Sequence, residues 1–74
     1  MDYAYSREVG KLLRQLRQQR KLTQDALAAK LQVEGCDLTR SALAKIEVGQ
    51  RHLYPDELKA LSIVLQVPPE ALLP

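Results

Sequence analysis

One local pattern occurs twice in this chain. Leu22-Thr23-Gln24-Asp25-Ala26-Leu27 and Leu38-Thr39-Arg40-Ser41-Ala42-Leu43 each set a threonine between two leucines at the spacing of a capped and stapled helix start. The threonine hydroxyl can accept an orphan first-turn N–H, and the leucine before the cap can pack on the one four residues after it. Two such starts this close together leave room for one short helix, a turn and a second short helix. The chain is therefore expected to fold as small helices packed at angles around a shared core.

The second of these helices, running to Gly49, has two unlike faces. Thr39, Ala42, Leu43 and Ile46 fall on one side of the wheel, and Arg40, Ser41, Ala44, Lys45 and Val48 on the other. Gly49 supplies the stop, since glycine readily takes the left-handed conformation that ends many helices. On the outward face, arginine and lysine can bond guanine edges or phosphates, serine can bond either, and alanine or valine can touch a thymine methyl. The same residues also suit a plain solvated helix.

In chain order, a first helix is expected from Ser6 to Arg20, capped by Ser6, with Val9, Leu12, Leu13 and Leu16 forming its core stripe. Arg7, Lys11, Arg14 and Lys21 lie on the far side and are read as a solvated cationic face. A second helix is expected from Thr23 to Gln32, packing Leu27, Ala28 and Leu31, and Glu34-Gly35-Cys36-Asp37-Leu38 follows as a turn. Pro55, Asp56 and Glu57 open a fourth helix with Leu58, Leu61 and Leu65 on its buried stripe. Pro68 and Pro69 break it, and a last short turn over 69–73 returns leucines to the core. The fold class is all-α, five helices with no strand. Residues 1–5, with Tyr3 and Tyr5, carry no helix signal and are read as a tail, and residues 6–74 as one domain.

Composition narrows what such a fold does. A chain of 74 residues, 46% apolar and 27% charged, matches a small globular domain with a slender margin of stability. No apolar run approaches the roughly 20 residues of a membrane span, and the N-terminus lacks a signal peptide's apolar segment, so a cytoplasmic protein without membrane contact is expected. One cysteine, Cys36, and one histidine, His52, provide neither a disulfide nor a metal ligand set, and His52 is read as a surface residue. Neither a cofactor nor an enzymatic activity is expected. The formal charge of +2 is modest, but its distribution is uneven. Residues 1–21 hold Arg7, Lys11, Arg14, Arg17, Arg20 and Lys21 against Asp2 and Glu8, while from Leu53 onward Lys59 faces Asp56, Glu57 and Glu70.

Leu16-Arg17-x-x-Arg20, the two stapled starts, and Ile46-Glu47-x-Gly49 together resemble the lambda-repressor/Cro-type helix-turn-helix family from about Val9 to Leu73. The resemblance implies that helices two and three form the helix-turn-helix and that helix three reads bases through Arg40, Ser41, Ala44 and Lys45, with Thr39 at its tip. It implies that Gln24 and Arg51 anchor phosphates, and that Arg17 pairs with Glu47 to tie helix one to the reading helix. Gln24 also sits at a helix N-terminus, where free N–H groups favour an anion. The chain departs from the family between helices two and three, where Gln32 replaces a glycine and residues 34–38 form an insertion of about five residues. Glu34 and Asp37 are expected to point away from the reading side.

The function this implies is a sequence-specific regulator of transcription, of bacterial or phage type and most simply a repressor, binding double-stranded DNA as a homodimer on a pseudo-palindromic site. The alternative is an antitoxin-like or scaffold module that uses the same fold to meet a protein partner. RNA or non-specific nucleic-acid binding is disfavoured by the small basic surplus and by an aromatic set of three tyrosines with no Trp or Phe.

Overall fold

The threonine starts lead directly into helices. In a computed structural model, which describes residues 3–74, the chain forms α1 (Ala4–Gln19), α2 (Gln24–Val33), α3 (Arg40–Glu47), α4 (Pro55–Leu65) and a 3-10 turn, η1 (Pro69–Leu72). The hydroxyl of Thr23 accepts from the Ala26 amide at 3.0 Å and that of Thr39 from the Ala42 amide at 3.1 Å. The described residues thus form four α-helices and a 3-10 turn where five helices were expected. After Pro68, the four residues of η1 are too few to close an α-helical ladder and tighten into a 3-10 turn.

Helix α1 starts two residues ahead of the expected Ser6. Ser6 is buried inside it, its Oγ 2.9 Å from His52 Nδ1, and so is not a cap. The Tyr3 ring stacks on His52, centroids 6.0 Å apart, which leaves His52 half-buried rather than free on the surface. Contacts across the fold, invisible to local capping rules, decide where α1 begins.

The four helices of the described residues each end in a left-handed residue, which follows the C-cap in α1, α2 and α3 and is the C-cap itself in α4, its N–H and the next one folding back onto the last helical turn. In α2 these bonds run from Gly35 to Gln32 and from Cys36 to Leu31, and in α3 from Gly49 to Ile46 and from Gln50 to Lys45. In α1 and α4 the left-handed positions are Lys21 (φ 56°) and Gln66 (φ 58°), where a side chain carries a steric cost that glycine does not. Lys21→Gly and Gln66→Gly are each expected to raise stability by about 0.5–1 kcal/mol, read as a higher thermal midpoint. The same change at exposed Lys59, inside α4, should lower stability by about 1 kcal/mol.

The core is leucine-rich. Leu13 of α1, Leu27 and Leu31 of α2, Leu43 and Ile46 of α3, Leu61 and Leu65 of α4, and Leu72 of η1 are all buried. Helix α1 packs on α3 and η1, and α2 on α3 and α4. Leu73, expected in the core, is exposed, because the chain leaves η1 in extended geometry and the two leucines point to opposite sides. The inserted turn is anchored by buried Leu38 and half-buried Cys36. Among the described residues no helix is long and apolar enough to cross a membrane.

Candidate nucleic-acid interface

Helix α3 owes its position to a buried ion pair and a glycine. Arg17 Nε donates to Glu47 Oε2 at 2.7 Å and Nη2 to Oε1 at 2.9 Å, a two-pronged fork between α1 and the last residue of α3. The side chains are only 11% and 3% exposed, so the pair lies in the packed region between the helices. The fork holds the Arg17 guanidinium above its ordinary range, against the opposing effect of burial. Arg17 Nη1 also donates to the Leu22 carbonyl at 2.8 Å, fixing the approach to α2. Two α1 turns before Arg17, Gly10 lies against the α3 backbone, where an added Cβ would come within 2.7 Å of the Glu47 carbonyl oxygen.

Gln24, the first residue of α2, joins this network. Its Nε2 donates to Glu47 Oε1 at 3.1 Å, so one carboxylate fastens both α1 and α2 to α3. A half-buried Gln24 held this way keeps its amide oxygen and second N–H for other partners.

Around the network the three helices leave an open depression of about 590 Å³. Thr23, Gln24 and Asp25 line it from the start of α2, Arg40, Ala44 and Val48 from the α3 region, and Arg14 from α1. Ser41 and Lys45 stand exposed on the neighbouring face of α3, and exposed Thr39 caps its start. The fold thus brings the start of α2 and the outward residues of α3 onto one side. Arg14, read from the sequence as part of a solvated cationic face, is exposed and also lines this depression, on the side that its spacing of one turn from Arg17 signals.

Arg51 is placed elsewhere. Its Nη1 and Nη2 donate to the two carboxylate oxygens of Glu57, each at 2.9 Å, and Nη1 also donates to the His52 carbonyl. Arg51 borders a second hollow with Glu34, Asp37, Asp56 and Glu57, while the depression lined by Gln24 and Arg40 lies elsewhere. Arg51, expected as a phosphate anchor, braces the α3–α4 loop here, its fork taken up by the Glu57 carboxylate. Glu34 and Asp37 gather in that second hollow.

The Arg51 fork holds the Glu57 carboxyl below the usual carboxylate range; burial opposes this, and the Tyr54 N–H, bonded at 3.0 Å, adds to it. A carboxyl with a lowered folded-state pKa stabilises above its ordinary value, here 4.5, and loses that contribution as pH falls through the folded value. The thermal midpoint is expected to drop as pH is lowered below that value, and Glu57→Gln should flatten that part of the profile. An unchanged acid slope in Glu57→Gln would remove Glu57 from the account.

The profile of the helix-turn-helix family matches residues 13–72. The chain belongs to the lambda-repressor/Cro-like helix-turn-helix family. A search of curated proteins found no match. Two solved structures are similar to this helix-turn-helix domain over nearly its whole length. The restriction-modification controller protein C.AhdI from Aeromonas hydrophila is 31% identical with a TM-score of 0.83, covering 95% of this chain and 94% of its own. The DNA-binding domain of BldD is 24% identical with a TM-score of 0.82 and full coverage of both chains, a likeness of fold. The turn between the two threonine-capped helices is tied to the core by Leu38 and Cys36.

Proposed function

We propose that this chain is a regulator of transcription that binds double-stranded DNA, with α2 and α3 as its helix-turn-helix pair and α3 as the reading helix. The observation that carries this is the open depression where Arg14, Gln24 and Arg40 meet from three helices, beside the exposed Ser41 and Lys45. Arginine and lysine on α3 suit guanine edges, Ser41 suits a base or phosphate, and Ala44 suits a thymine methyl. Thr39 stands at the tip of the reading helix. Gln24 and Arg14 serve as phosphate anchors, which set position without carrying sequence information. The likeness to a restriction-modification controller supports a regulatory role for a protein of this size.

A single reading helix offers little affinity and specificity, so the chain acts as a two-fold homodimer on a pseudo-palindrome, and repression follows where the site overlaps a promoter.

Selection of bound duplexes from a random pool at two salt concentrations tests the reading. An enriched palindrome with half-sites about one helical turn apart supports it. Loss of all binding at moderate salt without enrichment would favour a protein-interaction module instead. With the site in hand, Arg40→Ala or Lys45→Ala should cost roughly 1–3 kcal/mol and relax preference at one position, whereas Arg14→Ala or Gln24→Ala should weaken all duplexes alike. Arg14→Ala should also reduce the salt slope by about 1.

A further inference from the structure

One carboxylate in the depression stands outside the core network. Glu47 is held by Arg17 and Gln24, but Asp25, the second residue of α2, reaches across to α3 and places Oδ1 4.0 Å from Arg40 Nε. Asp25 and Arg40 both line the depression, with side chains 74% and 67% exposed. An acid on a surface that receives phosphates opposes binding by simple repulsion. Its position against a base-reading arginine gives it a purpose.

We propose that Asp25 is a specificity-determining positioning residue, which holds the Nε edge of Arg40 and turns its Nη1/Nη2 fork toward a base edge instead of a phosphate. The inference rests on the DNA-reading function above. At 4.0 Å the contact is a charge pair and not a hydrogen bond, so the fork keeps its donors for a bidentate partner such as guanine O6 and N7. In the free protein, water weakens so exposed a pair. When a duplex covers the depression and expels water, the same two charges attract more strongly. The first turn of α2 favours a carboxylate through its dipole, which helps to fix the Asp25 end. Without Asp25, Arg40 is a long, freely rotating cation on the same depression as Arg14, and phosphates compete for it.

This arrangement predicts opposite signs for affinity and discrimination. A merely solvated Asp25 would, on removal, tighten binding to every duplex equally and leave discrimination unchanged.

The test uses the full chain as wild type, Asp25→Asn, Asp25→Ala, Arg40→Ala and the Asp25→Asn/Arg40→Ala double variant. Binding is measured to the selected duplex, to versions with each half-site base pair replaced, and to a random duplex. Both Asp25 variants are expected to bind random duplex roughly threefold more tightly. They should also discriminate roughly fivefold less at the one base position that Arg40→Ala relaxes. In the Arg40→Ala background, Asp25→Asn should relax nothing further. Full discrimination in both Asp25 variants would overturn the proposal, as would a relaxation that persists undiminished without Arg40. A wild-type chain that prefers no duplex would overturn the DNA-reading function itself, an outcome visible before any substitution is made.

Discussion

Gly10→Ala is expected to lower the thermal midpoint by about 10–20 °C, the consequence of about 3 kcal/mol of lost stability in a domain of this size. The reason is steric and specific to one crossing. Gly10 lies in the middle of α1, where alanine would ordinarily be the better helix former by about 1 kcal/mol. Here the added methyl meets the carbonyl oxygens of Ile46 and Glu47, which are backbone atoms at the end of α3 and cannot rotate away. To admit it, α1 and α3 must separate, which loosens Leu13 against Leu43 and Ile46 and stretches the Arg17–Glu47 fork. Gly35 provides the control. Its φ of +81° makes alanine unfavourable, but an added Cβ meets nothing within 4 Å, so Gly35→Ala should cost only about 1 kcal/mol. Thermal unfolding followed by circular dichroism separates the two. Equal losses at both positions would show that backbone conformation, and not the helix crossing, governs Gly10.

Glu47→Ala is expected to cost about 3–5 kcal/mol. A domain of this length has in total only roughly 4–11 kcal/mol, so the variant should be close to unfolding at 37 °C. The loss comes mainly from what remains behind. Arg17, 11% exposed, would keep its charge without a carboxylate, and the Gln24 amide would lose its acceptor in the same step. Replacing both partners tests this account, since two apolar side chains of similar volume leave no uncompensated charge. Arg17→Met/Glu47→Leu should recover most of the lost stability. Binding to DNA should recover less, because Gln24 at the start of α2 would still be unfastened. A double variant as unstable as Glu47→Ala would mean that the loss comes from packing around position 47 and not from the stranded charge.

Much of the fold was legible in local chemistry. Thr23 and Thr39 can be identified as caps because a hydroxyl and the amide it accepts lie three residues apart, a distance set by helix geometry alone. The burial of Leu13, Leu27, Leu31, Leu43, Ile46, Leu61 and Leu65 follows from apolar spacing at the helical period. Gly49 could be read as a stop and Gly35 as part of a turn for a similar reason. Lys21 and Gln66 turn the chain in the same left-handed way without a glycine to announce it, because tertiary packing outweighs a penalty of about 1 kcal/mol.

Charged and small residues were less legible, because their reasons lie across the fold. Arg17, Arg20 and Arg51 carry the same side chain, and the family resemblance alone marked Arg17 for Glu47. In the structure they end on the Glu47 carboxylate, the Leu65 carbonyl and the Glu57 carboxylate respectively. Ser6 offers the chemistry of a cap, but His52 approaches it from the α3–α4 loop and α1 continues back to Ala4. Gly10 has no local signature, since the carbonyls that exclude a side chain belong to another helix.

By itself the sequence determined which stretches are helical, where most of them start and stop, and which face of each seeks the core. Capping, propensity and hydrophobic period act within a few residues, so neighbours in the chain suffice to read them. Tertiary structure alone decided that Arg51 meets Glu57 and Arg20 the Leu65 carbonyl, that α1 can approach the backbone of α3 only at a glycine, and that Arg14, Asp25 and Arg40 line one open depression. Those outcomes depend on how rigid helices cross, and a crossing is set by the packing of the whole core at once.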